Sequence, residues 1–162
     1  MKIKILFLLL ISIFSCQQEP ETTTLYFVRH TEKDLTTKVN PKLTEAGIKR
    51  ANDLAIYFSD KNIDKVLSTN YKRTISTASP TAKAINKEVI IYNTKTLNTN
   101  QLISNNMGKT VLIVGHSNTI PNLVNNVIKE KIYKEIDERI YNDLFIVQIK
   151  NDKLTHQKIK VN

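Results

Sequence analysis

The stretch Leu25-Tyr26-Phe27-Val28 is apolar throughout. A strand with one face in water alternates apolar and polar residues. A strand with no polar residue must be covered on both faces, as happens when helices pack on either side of a parallel sheet. Three more short runs have strand character, at 65–68, 89–92 and 111–114, and a further one lies at 144–149. Between them the spacing changes to a helical period. Thr44 can cap a helix over 45–59 whose Ile48, Ala51, Ala55 and Phe58 share one face. Residues 71–86 read as a helix with Ile75, Ala78, Ala82 and Ile85 inward and Pro80 as a possible kink, and 99–106 as a short helix. Ile120, Leu123, Val124, Val127 and Ile128 repeat at helical spacing, with Pro121 in the first turn. Thr155 to Val161 reads as an edge strand. Strands alternating with helices predict a three-layer α/β/α sandwich with a mainly parallel sheet.

The N-terminal residues differ from the rest. Met1-Lys2-Ile3-Lys4 is a basic start, and 5–14 is apolar apart from Ser12. That run is short for a bilayer span and suits a signal peptide over residues 1–15. Ile13-Phe14-Ser15-Cys16 resembles a bacterial lipobox, which makes Cys16 the expected lipidation site and 16–23 a polar tether ahead of a domain over 24–162. Acyl chains on Cys16 would hold the protein at the membrane of a bacterial cell envelope. Cys16 is the only cysteine, so the domain has no disulfide, thiol nucleophile or cysteine-based metal site. The net charge of +9 is compatible with anionic partners. The lysines are scattered and lack interleaved aromatics, so nucleic acid is not an expected partner.

Parallel sheets place their sites outside the carboxyl ends of the strands. Arg29 and His30 follow the first strand, His116 follows the fourth, and Arg73 begins the helix after the second. Two guanidinium groups and two imidazoles at one sheet edge suit an anion with several oxygens, such as phosphate. Helix starts near Arg73 and Asn118 would add backbone N–H donors. His156 lies among polar residues and reads as an exposed strand residue.

With these residues in place, the chain resembles the histidine phosphatase superfamily over about residues 24–150. "LYFVRHTEK" is similar to the family's Arg-His signature, with Thr31 where glycine is commonest. "NPKLTEAGIKRA" (40–51) is similar to the segment after it, "STNYKRTISTA" (68–78) to the second signature and "VLIVGHSNTIPNLV" (111–124) to the third. The resemblance implies a phosphoglycerate mutase-like fold. It also implies a phosphatase acting on phosphomonoesters or phosphoramidates, with His30 as the nucleophile that forms a phosphohistidine. Arg29, Arg73 and His116 would bind the phosphoryl oxygens, and neither a metal nor a cofactor is needed. The substrate would be a phosphorylated small molecule or a phosphoprotein.

Many relatives carry a carboxylate after the third strand as general acid, and this chain has no Asp or Glu between Glu88 and Glu130. Proximity leaves Glu32 and Asp34 as candidates, with Asp143 a weaker one. The same gap supports an alternative, an envelope lipoprotein that binds a phosphorylated ligand in the same pocket without turnover.

Overall fold

The computed structural model describes residues 21–161; the expected signal peptide, Cys16 and most of the tether lie outside them. In chain order the elements are β1 (Thr23–Arg29), α1 (Glu45–Tyr57), β2 (Lys65–Thr69), α2 (Lys72–Ala84), β3 (Val89–Tyr92), α3 (Thr99–Ser104), β4 (Thr110–Gly115), α4 (Thr119–Ile128), β5 (Asp143–Lys150) and β6 (Lys153–Lys160). They form one sheet in the order β3-β2-β4-β1-β5-β6. The first four strands run parallel, while β5 and β6 are antiparallel. The first strand starts earlier than expected, because Thr23 and Thr24 are already buried and paired with β5.

Apolar residues of β1 divide by parity between two cores. Leu25 and Phe27 join Val111, Ile113, Leu102 of α3 and Ile120, Val124 and Val127 of α4. Tyr26 and Val28 join Leu112, Val114, Leu54 of α1 and Ala78 and Ala82 of α2. The sheet is therefore the middle of three layers. Fully burying a side chain such as Phe27 or Phe58 contributes on the order of 1.5–3 kcal/mol. An exposed i,i+4 pair such as Lys49–Asp53 contributes about 0.3–0.5 kcal/mol. Burial on both sides of the sheet, and not surface ion pairing, accounts for the fold.

The insertion of β4 between β2 and β1 positions the site. It makes the two histidine-bearing strands neighbours, with Arg29 opposite Gly115. The backbone N–H of His30 continues the ladder by donating to Gly115 O at 2.9 Å.

Two helices turn differently from the hydrophobic pattern. In α1, Thr44 caps as expected, accepting from Gly47 N at 3.1 Å. The buried face is Gly47, Ala51 and Leu54, followed by Phe58, while Ile48 is exposed and Ala55 only half-buried. The helix packs against the chain after His30, and only a residue without a side chain fits there. A Cβ at Gly47 would run into Glu32 O. In α2 the buried residues are Thr74, Thr77, Ala78, Thr81 and Ala82, with Ile75 and Ile85 half-buried. Thr74 and Thr77 return their hydroxyls to backbone carbonyls, which lets polar residues face the sheet. His156 is half-buried, and its Nδ1 lies 2.9 Å from the Tyr133 hydroxyl.

Gly47→Ala should overpack this contact. Chemical denaturation should show a loss of about 1–3 kcal/mol.

Candidate active site

The carboxyl ends of β1, β2, β3 and β4 open onto a cleft of about 810 Å³. His30, Lys33, Arg73, His116, Ser117 and Glu138 line it. The structure thus brings His30, His116 and Arg73 together from three distant segments. The two imidazole rings meet edge to face with centroids 5.6 Å apart.

His30 has a defined tautomer. Its Nδ1 lies 2.7 Å from Thr31 O, and a carbonyl can only accept, so Nδ1 carries the proton. The lone pair is then on Nε2. Burial is the main force that lowers the His30 pKa to about 3; the Thr31 bond opposes it, and the charges of Arg29 and Arg73 add to the lowering. The ring is neutral at physiological pH.

His116 ends a directional chain of hydrogen bonds. Thr74 donates to the carbonyls of Thr69 and Tyr71, so its Oγ1 is free to accept from Thr69 Oγ1 at 3.0 Å. The Thr69 proton is thereby used, and Thr69 Oγ1 must accept from His116 Nε2 at 3.0 Å. His116 Nδ1 is left to accept from Arg73 Nη2 at 3.3 Å. Both ring nitrogens have protein partners in this arrangement, so a phosphoryl contact by His116 requires one of them to exchange. Burial, followed by the charges of Arg73, Lys33 and Arg29, lowers its pKa to about 4. The Arg73 guanidinium also lies over the Tyr71 ring, 4.7 Å from its centroid.

Arg29 does not line the cleft. It is 1 % exposed, and its Nη1 donates to the carbonyls of Asp137 and Ile140, each at 3.0 Å. Nη2 donates to Glu138 Oε2 at 2.9 Å, and the guanidinium carbon lies 4.3 Å from the Tyr141 ring centroid. Arg29 therefore ties the segment before β5 to the end of β1.

Neither carboxylate expected near the phosphate reaches the cleft. Glu32 is held by Arg50, whose Nε lies 2.9 and 3.1 Å from its two oxygens. Asp34 closes a turn by accepting from Thr36 N and Thr36 Oγ1. Asp143 pairs with Lys158 and Lys160 of β6. The carboxylates that line the cleft are Glu135 and Glu138, from the segment between α4 and β5. That segment has no hydrophobic period, and its anchors to the site include Arg29 and the buried Ile136, whose N–H donates to Ser117 O at 3.0 Å. Among the described residues, no group of three or more His, Cys, Asp or Glu side chains is placed to hold a metal ion.

The histidine pKa values have a thermodynamic consequence. Both folded values lie below the ordinary 6.5, so as pH falls the unfolded chain takes up protons that the folded chain refuses. Their effect on stability should be absent above about pH 6.5 and should grow as a loss of stability down to about pH 4 and then 3. Denaturation midpoints across this range check the loss, and nitrogen NMR at pH near 5 should find both rings still neutral.

Residues 25–94 match the model of the histidine phosphatase superfamily (branch 1). The match ends before β4, so His116 and Glu138 lie beyond it. No curated protein sequence matches the chain. Solved structures share the fold at low identity. A phosphoserine phosphatase from Entamoeba histolytica, in complex with 3-phosphoglyceric acid, aligns with TM-score 0.66 and 16 % identity over 86 % of this chain and 97 % of its own. A mycobacterial glucosyl-3-phosphoglycerate phosphatase aligns with TM-score 0.67 and 11 % identity over 87 % and 99 %. The alpha-ribazole phosphatase of Shigella flexneri aligns with TM-score 0.65 and 15 % identity over 85 % and 96 %. The chain therefore carries a histidine phosphatase superfamily match across its first three strands, set within a complete phosphoglycerate mutase-like fold.

Proposed function

We propose that this protein is a phosphatase that hydrolyses phosphomonoesters or phosphoramidates through a phosphohistidine on His30. The observation that carries this reading is the His30 tautomer: Nδ1 is committed to Thr31 O, leaving a neutral ring with its lone pair on Nε2, beside the Arg73 cation. Nε2 attacks phosphorus, the bond to the leaving oxygen or nitrogen breaks, and water later displaces the phosphoryl group from the ring. Arg73 and Lys33 offset the charge on the transferring oxygens. No metal enters these steps. Phosphatase neighbours with the same fold support the substrate class, and the named compounds they bind belong to them.

His30→Ala should abolish turnover of an aryl phosphate, and the wild-type enzyme should yield an acid-labile phosphoprotein that the variant lacks. Arg73→Ala should lower the rate by about 10²–10³, as loss of one charge-stabilising donor does. Chelator treatment should leave the rate unchanged. Wild-type turnover in His30→Ala would overturn the reading, and phosphate binding without any turnover would favour a ligand-binding role.

Glu32 and Asp34 are held away from the cleft. Glu32→Gln and Asp34→Asn should therefore leave unchanged the dependence of rate on leaving-group pKa across substituted phenyl and alkyl phosphates.

We also propose a lipid anchor at Cys16 that holds the domain at the bacterial cell envelope, supported by the basic start, the short apolar run and Ser15-Cys16. The wild-type protein should carry label from a fatty acid, and Cys16→Ser should lose it. Unlabelled wild-type protein in a host that processes lipoproteins would remove the anchor.

A further inference from the structure

Three donors from separate segments meet on one side chain in the cleft. Glu138 Oε2 accepts from Arg29 Nη2 at 2.9 Å and from Lys33 Nζ at 3.0 Å, and Oε1 accepts from Ser117 Oγ at 2.7 Å. A guanidinium, an ammonium and a hydroxyl around a pair of oxygens are what a phosphoryl group also needs. The Glu138 side chain is 58 % exposed, so a solute reaches it. Arg29 itself is almost fully enclosed. Two of its bonds go to the neutral carbonyls of Asp137 and Ile140, which hold the guanidinium in place whether or not Glu138 is there. Its Nε is buried without a partner. When Glu138 leaves, this enclosed cation lacks its carboxylate partner and must find another anion.

We propose that Glu138 is an internal anion seated on part of the phosphoryl-binding site, and that substrate binds by exchanging its phosphoryl group for that carboxylate. This rests on the phosphatase reading and adds to it a residue that sets the affinity threshold of the site. The exchange weakens every anion by the same factor, because each must displace Glu138 first. A singly charged ligand replaces one charge with one. A dianion brings twice the Coulomb attraction to Arg29, Lys33 and Arg73 and is the species that still binds. The common penalty leaves the ratio between ligands unchanged and takes monoanions such as diesters and carboxylates below measurable binding, while terminal phosphoryl dianions stay above it. Burial alone would raise the Glu138 pKa; the bonds from Ser117 and Lys33 and the charge of Arg29 outweigh it and hold the carboxyl at about 2, so the seated group is ionised.

Calorimetric titration at about pH 8, where the phosphoryl group is a dianion, tests the exchange. Glu138→Gln should bind inorganic phosphate about tenfold more tightly than wild type, since the competitor is gone. Dimethyl phosphate, a monoanion, should bind measurably only to the variant. If Glu138 merely holds Arg29 and Lys33 in position, the variant binds phosphate more weakly, which would overturn the proposal; so would unchanged affinity. A second measurement needs no variant: saturating phosphate should move the wild-type Glu138 carboxyl carbon resonance and raise its pKa. An unmoved resonance overturns the proposal too. Turnover and phosphate binding without these changes remove the exchange alone. A wild-type protein that neither binds phosphate nor hydrolyses any phosphoester removes the phosphatase reading, and the exchange with it.

Discussion

The enclosed guanidinium of Arg29 is the constraint around which the site is arranged. A charge out of water must be paired and hydrogen-bonded, or it destabilises the fold by several kcal/mol. Arg29 meets that demand by gathering two carbonyls and one carboxylate from residues 137–140 and the face of Tyr141. The cleft wall that carries Glu135 and Glu138 is thus fastened to the same strand that presents His30. A lysine could not substitute, because its three donors radiate from one nitrogen, whereas Arg29 spreads its bonds over two terminal nitrogens of a planar fork.

The polar bonds behind His116 have a related purpose. Thr69 and Thr74 fix which nitrogen of the ring carries its proton, and Arg73 meets the other. The ring gains two things from this chain: an orientation and a tautomer. Neither depends on solvent.

Much of the fold was legible because it rests on apolar periodicity. The uninterrupted run at 25–28 requires cover on both faces, and α4 shows its face through Ile120, Val124 and Val127. The errors fall where the interior is not built from large apolar residues. Gly47 faces inward because backbone must approach backbone, and Thr74 and Thr77 face inward with their hydroxyls returned to backbone carbonyls. Hydrophobicity marks neither. The same limit applies to the site. His30, Arg73 and His116 come after strand ends, so topology alone points to them. Nearness along the chain points to Glu32 and Asp34, and the structure turns both elsewhere. Glu138 has no period around it and reaches the cleft only through partners far away in sequence.

Helix α2 carries Arg73 in its first turn and Pro80 within it, and its buried face is largely threonine. β-Branched residues and an internal proline make a weak helix in isolation. The segment is helical because it is docked on the sheet, so undocking and unwinding are a single event. This makes α2 a cooperative unit whose opening uncovers the core that holds Ala78 and Ala82, while the core under α3 and α4 stays closed. Its backbone amides would then exchange with solvent ahead of those in β1 and β4. Under mild heat or denaturant, the Arg73 side of the cleft would come apart before the protein does.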